Sequence, residues 1–75
     1  MANDLDALAI RFCKALAADT GTRPMQWRSI VPIGIRARIR DEKERSAVVA
    51  HAVAAGWLEV EGGHSVMLTD AGRRL

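Results

Sequence analysis

The stretch from Asp41 to Thr69, DEKERSAVVAHAVAAGWLEVEGGHSVMLT, decides how the rest of the chain is read. Asp41 is a good helix N-cap, and Glu42 and Glu44 follow in the first turn, where carboxylates suit the positive end of the helix dipole. The pattern predicts a helix over 41–55, with Val49, Ala52 and Val53 as the inward stripe, Val48 reinforcing it, and Gly56 closing it. Lys43, Ala47, Ala50, His51 and Ala54 fall on the opposite face at helical spacing. Beyond Gly56, two short alternating runs flank a pair of glycines, which reads as a tight antiparallel hairpin. Parity selects its register. A two-residue Gly62-Gly63 loop would set Leu58 opposite Met67 and divide the aliphatic residues between both faces. A three-residue Gly62-Gly63-His64 loop pairs Leu58 with Leu68 and Val60 with Val66, gathering all four on one face. That register leaves Glu59, Glu61 and Ser65 toward solvent and His64 at the tip. Thr69-Asp70 is then a fresh helix start.

Upstream, Asn3 can cap a first helix, with Asp6 three residues later and Asp4 favourable to the dipole. Leu5, Leu8, Ala9, Phe12, Cys13 and Leu16 follow at i, i+3, i+4, i+7, i+8 and i+11, one apolar stripe of a helix over about 4–18. Cys13 lies on that stripe and reads as a small buried hydrophobe. Residues 19–24 are dense in turn formers, and Gly21 and Pro24 end the helix. Met25-Gln26-Trp27 is the expected first strand, pairing with the later hairpin. Between 28 and 40, Ile33, Ile35, Ala37 and Ile39 alternate with Gly34, Arg36, Arg38 and Arg40, the pattern of a half-buried strand. Ile30, Ile33 and Ala37 also fit a helix, and Pro32 suits a first turn. The later helix and hairpin need a cover, which favours a helix over 28–38.

Seventy-five residues, 49% of them hydrophobic and with mean hydropathy near zero, make one globular domain spanning 1–75. No apolar run is long enough for a membrane span, and Asp4 and Asp6 give the N-terminus the wrong charge for a secretory signal, so a cytoplasmic protein without a membrane partner is expected. The single cysteine cannot form an internal disulfide. Charge is unevenly spread. Residues 23–45 carry seven basic and three acidic side chains, a net +4, while each flank carries two basic and three acidic, a net −1. A local positive field of this kind is the minimum a nucleic-acid binder needs.

From about Trp27 to Arg74 the chain resembles the winged helix-turn-helix family of bacterial transcription regulators, most closely a short stand-alone member. The resemblance is carried by the junction Ala55-Gly56-Trp57-Leu58-Glu59, by Gly62 and Gly63, and by the exit Leu68-Thr69-Asp70-Ala71-Gly72-Arg73. It implies an α+β winged helix, three helices plus a C-terminal β-hairpin wing. In that family the second central helix enters the major groove and the wing touches flanking DNA. The resemblance therefore implies DNA as partner, with Lys43, Ser46, Ala47, Ala50 and His51 facing bases. Arg36, Arg38 and Arg40 would lie near phosphates, and Gly62, Gly63 and His64 would form the wing. Three features depart from the pattern: a glycine is usual near the place of Arg38, the recognition helix opens on Asp41, Glu42 and Glu44, and the wing carries Glu59 and Glu61 but no Lys or Arg.

A second reading is a protein-interaction domain, heteromeric or homodimeric, in which the small face of Ala47, Ala50 and Ala54 lets another helix approach closely. No cofactor is implied. Cys13, His51 and His64 lack metal-ligand spacing, so no metal site is expected. Trp27 and Trp57 are expected as packing residues. No nucleophile elbow or phosphate loop is present, and no serine has a histidine neighbour except Ser65 beside His64, so an enzyme is not expected.

Overall fold

The apolar stripe of the N-terminal helix is what the rest of the chain packs on. The computed structural model describes residues 4–21 and 23–75, so the expected cap at Asn3 lies outside the described residues. Helix α1 (Asp4–Thr20) buries Ala9, Phe12, Cys13 and Leu16 completely. Its last residue, Thr20, is buried but satisfied, its hydroxyl donating to Leu16 O at 3.0 Å. Gly21 then takes a left-handed φ of +66°.

The first strand differs from expectation. Strand β1 is Arg28–Ser29, not Met25–Trp27. Met25 adopts a φ of +61°, which turns the chain at Pro24-Met25 and delays the extended backbone until Arg28. Helix α2 (Ile30–Arg36) follows at once and is shorter at both ends than 28–38, because Arg28 and Ser29 are held in the sheet and Arg38 turns left-handed just past its end. Pro32 sits in the first turn, where no intrahelical N–H is required. The helical alternative for this segment is the one adopted.

Helix α3 (Glu42–Ala54) starts as predicted, the Asp41 carboxylate accepting from Glu44 N at 2.9 Å. It buries Val48, Val49 and Ala52 against the core. Val53, expected on that stripe, is 42% exposed. One step of about 100° beyond Ala52 carries its side chain off the core and toward the hairpin.

Strands β2 (Leu58–Glu61) and β3 (Ser65–Leu68) pair in the predicted register, Leu58 with Leu68 and Val60 with Val66, around a turn at 62–64. Gly62 and Gly63 take φ of +64° and +73°, which glycine accepts without cost to a Cβ. With β1 the hairpin makes a three-stranded antiparallel sheet in the order β1-β3-β2. Leu58, Val66 and Leu68 join the core, but Val60, near the hairpin tip, remains 38% exposed. Met67 is buried on the sheet's other face, where it shares a shallow cleft with Pro24 and Met25.

A short α4 (Asp70–Arg73) closes the chain, so the described residues contain four helices where three were expected. The Thr69 hydroxyl caps it, accepting from Gly72 N at 3.1 Å, and Thr69 N donates to Trp57 O at 3.0 Å. No helix among the described residues is long and apolar enough to cross a membrane.

Candidate nucleic-acid interface

The turn from α2 into α3 determines where the basic residues stand. Ile39 N donates to Gly34 O at 2.8 Å and Arg38 N to Ile35 O at 3.0 Å, the paired bonds of a Schellman motif. Its left-handed position is filled by Arg38, at φ +63°. The turn is therefore tight although the usual glycine is absent. From α1, Arg11 Nε donates to Ala37 O at 2.7 Å and ties the turn down. Across the helix pair, the stem of Arg45 lies over Gly34, where an added Cβ would come within 2.6 Å of its Cδ.

These contacts divide the arginines. Asp19, near the end of α1, takes two of them: Arg28 Nε donates to its Oδ2 at 2.9 Å and Arg36 Nη1 to its Oδ1 at 3.1 Å. Arg36 is thus paired within the molecule, although its side chain stays 52% exposed. Arg38, Arg40 and Lys43 are exposed, and their side chains make no hydrogen bond or ion pair among the described residues. They surround the N-terminal end of α3, together with the carboxylates of Asp41, Glu42 and Glu44.

Along α3, Ser46, Ala47, Ala50 and Ala54 are exposed as expected. The side chain of His51, one turn on from Ala47, reaches toward α1. Its Nε2 lies 3.2 Å from Asp6 Oδ1 on α1, and its ring meets Trp57 edge-on at 6.4 Å between centroids and 65° between planes. Trp57 packs against the core between α3 and β2, whereas Trp27 is exposed at the rim.

At the hairpin tip, His64 O accepts from Ile30 N at 2.9 Å, fastening the turn to the start of α2. The ring Nδ1 of His64 is 3.2 Å from Ser65 Oγ, and no described hydrogen bond orients its other nitrogen, so the pair lacks the third member of a catalytic relay. Among the described residues no three of His, Cys, Asp and Glu come together as a metal site. Burial pushes the Cys13 thiol up to about 12, which removes its nucleophilic form at neutral pH.

Sequence reasoning missed an apolar groove. It has a volume of about 1090 Å³ and lies between α3, the start of α2 and the hairpin, with Val31, Pro32, Val49, Ala50, Val53 and Val60 among its lining residues. Val31 is 51% exposed, which with Val53 and Val60 makes the patch contiguous and open to solvent. The one signal was the surplus of aliphatics, since Val53 and Val60 fall on stripes that the sequence pattern points inward yet stay exposed.

Comparisons with protein-family models, with curated proteins and with solved structures find no match to the chain.

Proposed function

We propose that this chain is a winged-helix DNA-binding module, of the kind used in transcription regulation, which contacts duplex phosphates through Arg38, Arg40 and Lys43. The observation that carries the reading is the division of the arginines. Asp19 holds Arg28 and Arg36, while Arg38, Arg40 and Lys43 stay exposed and unpaired around the start of α3. A guanidinium fork donates two hydrogen bonds to one phosphate, which suits the two arginines to that task. The element order α1-β1-α2-α3-β2-β3 is compatible with a winged helix. On this reading α3 faces the major groove with Lys43, Ser46, Ala47 and Ala50, and base readout rests on few polar groups.

The test is a titration of labelled protein with a mixed-sequence duplex over a range of salt. Three phosphate contacts give a slope of log K against log salt of about −2.7, at roughly −0.9 per phosphate. Absence of binding at low salt, where non-specific association is strongest, would defeat the reading. A second reading, partner-protein binding, is favoured by the exposure of Ala47, Ala50 and Ala54 beside the apolar groove. In the same titration it predicts no response to duplex at any salt.

A further inference from the structure

Neither reading uses the free edge of the sheet. In the order β1-β3-β2, strand β2 is paired on one side only. Two bonds set the parity of its ladder. Thr69 N donates to Trp57 O, so residues 57, 59 and 61 exchange hydrogen bonds with β3, and Ile30 N donates to His64 O on the far side of β3, which gives the same alternation. The main-chain N–H and C=O of Leu58 and Val60 therefore turn away from β3. No other backbone segment pairs with them among the described residues.

The two faces of this edge differ sharply. On one, Val60 forms part of the wall of the apolar groove, opposite Val53 and Ala54 of α3. On the other stand Glu59 and Glu61, both exposed and without an ion pair or side-chain hydrogen bond among the described residues. A strand laid along β2 would present alternate side chains to these two faces, because its period is two.

We propose that the β2 edge takes an extended segment of a partner protein in which apolar and basic residues alternate, adding a fourth strand to the sheet. Main-chain bonds to Leu58 and Val60 hold the segment, its apolar residues enter the groove, and its basic residues meet Glu59 and Glu61. Charge complementarity singles out this occupant. A second copy of β2 would bring the acidic residues of both strands together on one face, which is how edge strands resist self-association. The same carboxylates repel phosphate, so the peptide's charge contacts are distinct from the phosphate contacts proposed for Arg38, Arg40 and Lys43, although the groove shares Ser46 and Ala50 with the proposed base-facing side of α3.

The experiment is an amide-shift titration of the labelled chain with acetyl-Lys-Val-Lys-Val-Lys-amide, beside acetyl-Glu-Val-Glu-Val-Glu-amide as its charge-reversed control. Saturable shifts at Leu58, Val60, Val53 and Ala54 with the basic peptide only are expected. Glu59→Lys combined with Glu61→Lys should abolish them and leave duplex binding intact or stronger. Val60→Pro removes an outward N–H donor and should abolish them while the basic peptide's charge partners remain, with the amide dispersion of Leu16 and Val48 reporting that the core is still folded. The proposal is overturned if both peptides act alike, if the shifts centre on Glu42 and Glu44, if the double lysine variant still responds, or if no saturable shift occurs. Loss of duplex binding in the unaltered chain bears on the DNA reading alone.

Discussion

Arg38 and Gly56 end the two central helices by the same device. Each occupies the left-handed position of a Schellman motif, at φ +63° and +82°. At Gly56 the paired bonds run from Trp57 N to Ala52 O at 2.9 Å and from Gly56 N to Val53 O at 3.0 Å, matching those around Arg38. The cost differs, because a Cβ in this conformation is disfavoured by about 1–2 kcal/mol.

Arg38→Gly should therefore stabilise the fold by about 1 kcal/mol, and Gly56→Ala should destabilise it by a similar amount. Urea midpoints for the two variants should move in opposite directions. Arg38→Gly also removes a proposed phosphate contact, so it should be more stable and yet bind duplex less well. A loss of both stability and binding would mean that the Arg38 side chain supports the turn itself.

Arg36→Ala and Arg38→Ala should separate in their salt dependence. Arg38→Ala, Arg40→Ala and Lys43→Ala should each flatten the slope of log K against log salt by about 0.9. Arg36→Ala should leave the slope unchanged, since its partner is Asp19. Its effect on stability should be within about 1 kcal/mol, as for other exposed ion pairs. Equal slopes for Arg36→Ala and Arg38→Ala would show that Asp19 does not withhold Arg36 from DNA.

Gly72→Ala should be among the most damaging single-methyl additions. A Cβ at Gly72 would fall 2.2 Å from Trp57 O and 2.9 Å from Leu68 Cδ2. The carbonyl cannot yield easily, because it accepts from Thr69 N at 3.0 Å. A loss of about 1–3 kcal/mol is expected, typical of overpacking. In a domain of this size that lowers Tm by about 4–8 °C per kcal/mol. An unchanged Tm would mean that α4 swings away from the junction with little resistance.

Cys13 should resist thiol reagents at neutral pH until the chain unfolds, since its side chain is fully buried. Its pKa is raised by burial from 9.0 to about 12. Above about pH 9 the unfolded chain therefore releases a proton that the folded chain keeps, and stability must fall as pH rises through that window. Cys13→Ala should show a weaker alkaline decline. The check is a series of urea melts at rising pH, and parallel curves for the two proteins would exclude Cys13 as the group responsible.

The signals that were legible in the sequence are local ones. Asp41, Thr69 and Gly56 announce helix ends because a cap or a left-handed residue acts within one turn of chain. The pairing of Leu58 with Leu68 follows from parity alone, since a shift by one residue would turn every aliphatic to the wrong face. The strand expected at Met25–Trp27 was displaced because nothing in its composition announces that Met25, a residue with a Cβ, turns left-handed.

The sequence by itself determined the helix boundaries set by caps, the register of the hairpin and the basic middle third, because each depends on neighbours within a few residues. Only the tertiary structure decided which basic residues are free. Asp19 meets Arg28 and Arg36 through the packing of α1 against α2, and His51 reaches Asp6 across 45 positions of chain. The apolar groove arises in the same way, since Val31, Val53 and Val60 belong to three elements whose relative angles leave a gap. Angles between packed elements follow from the whole core at once, so no local stretch of sequence encodes them.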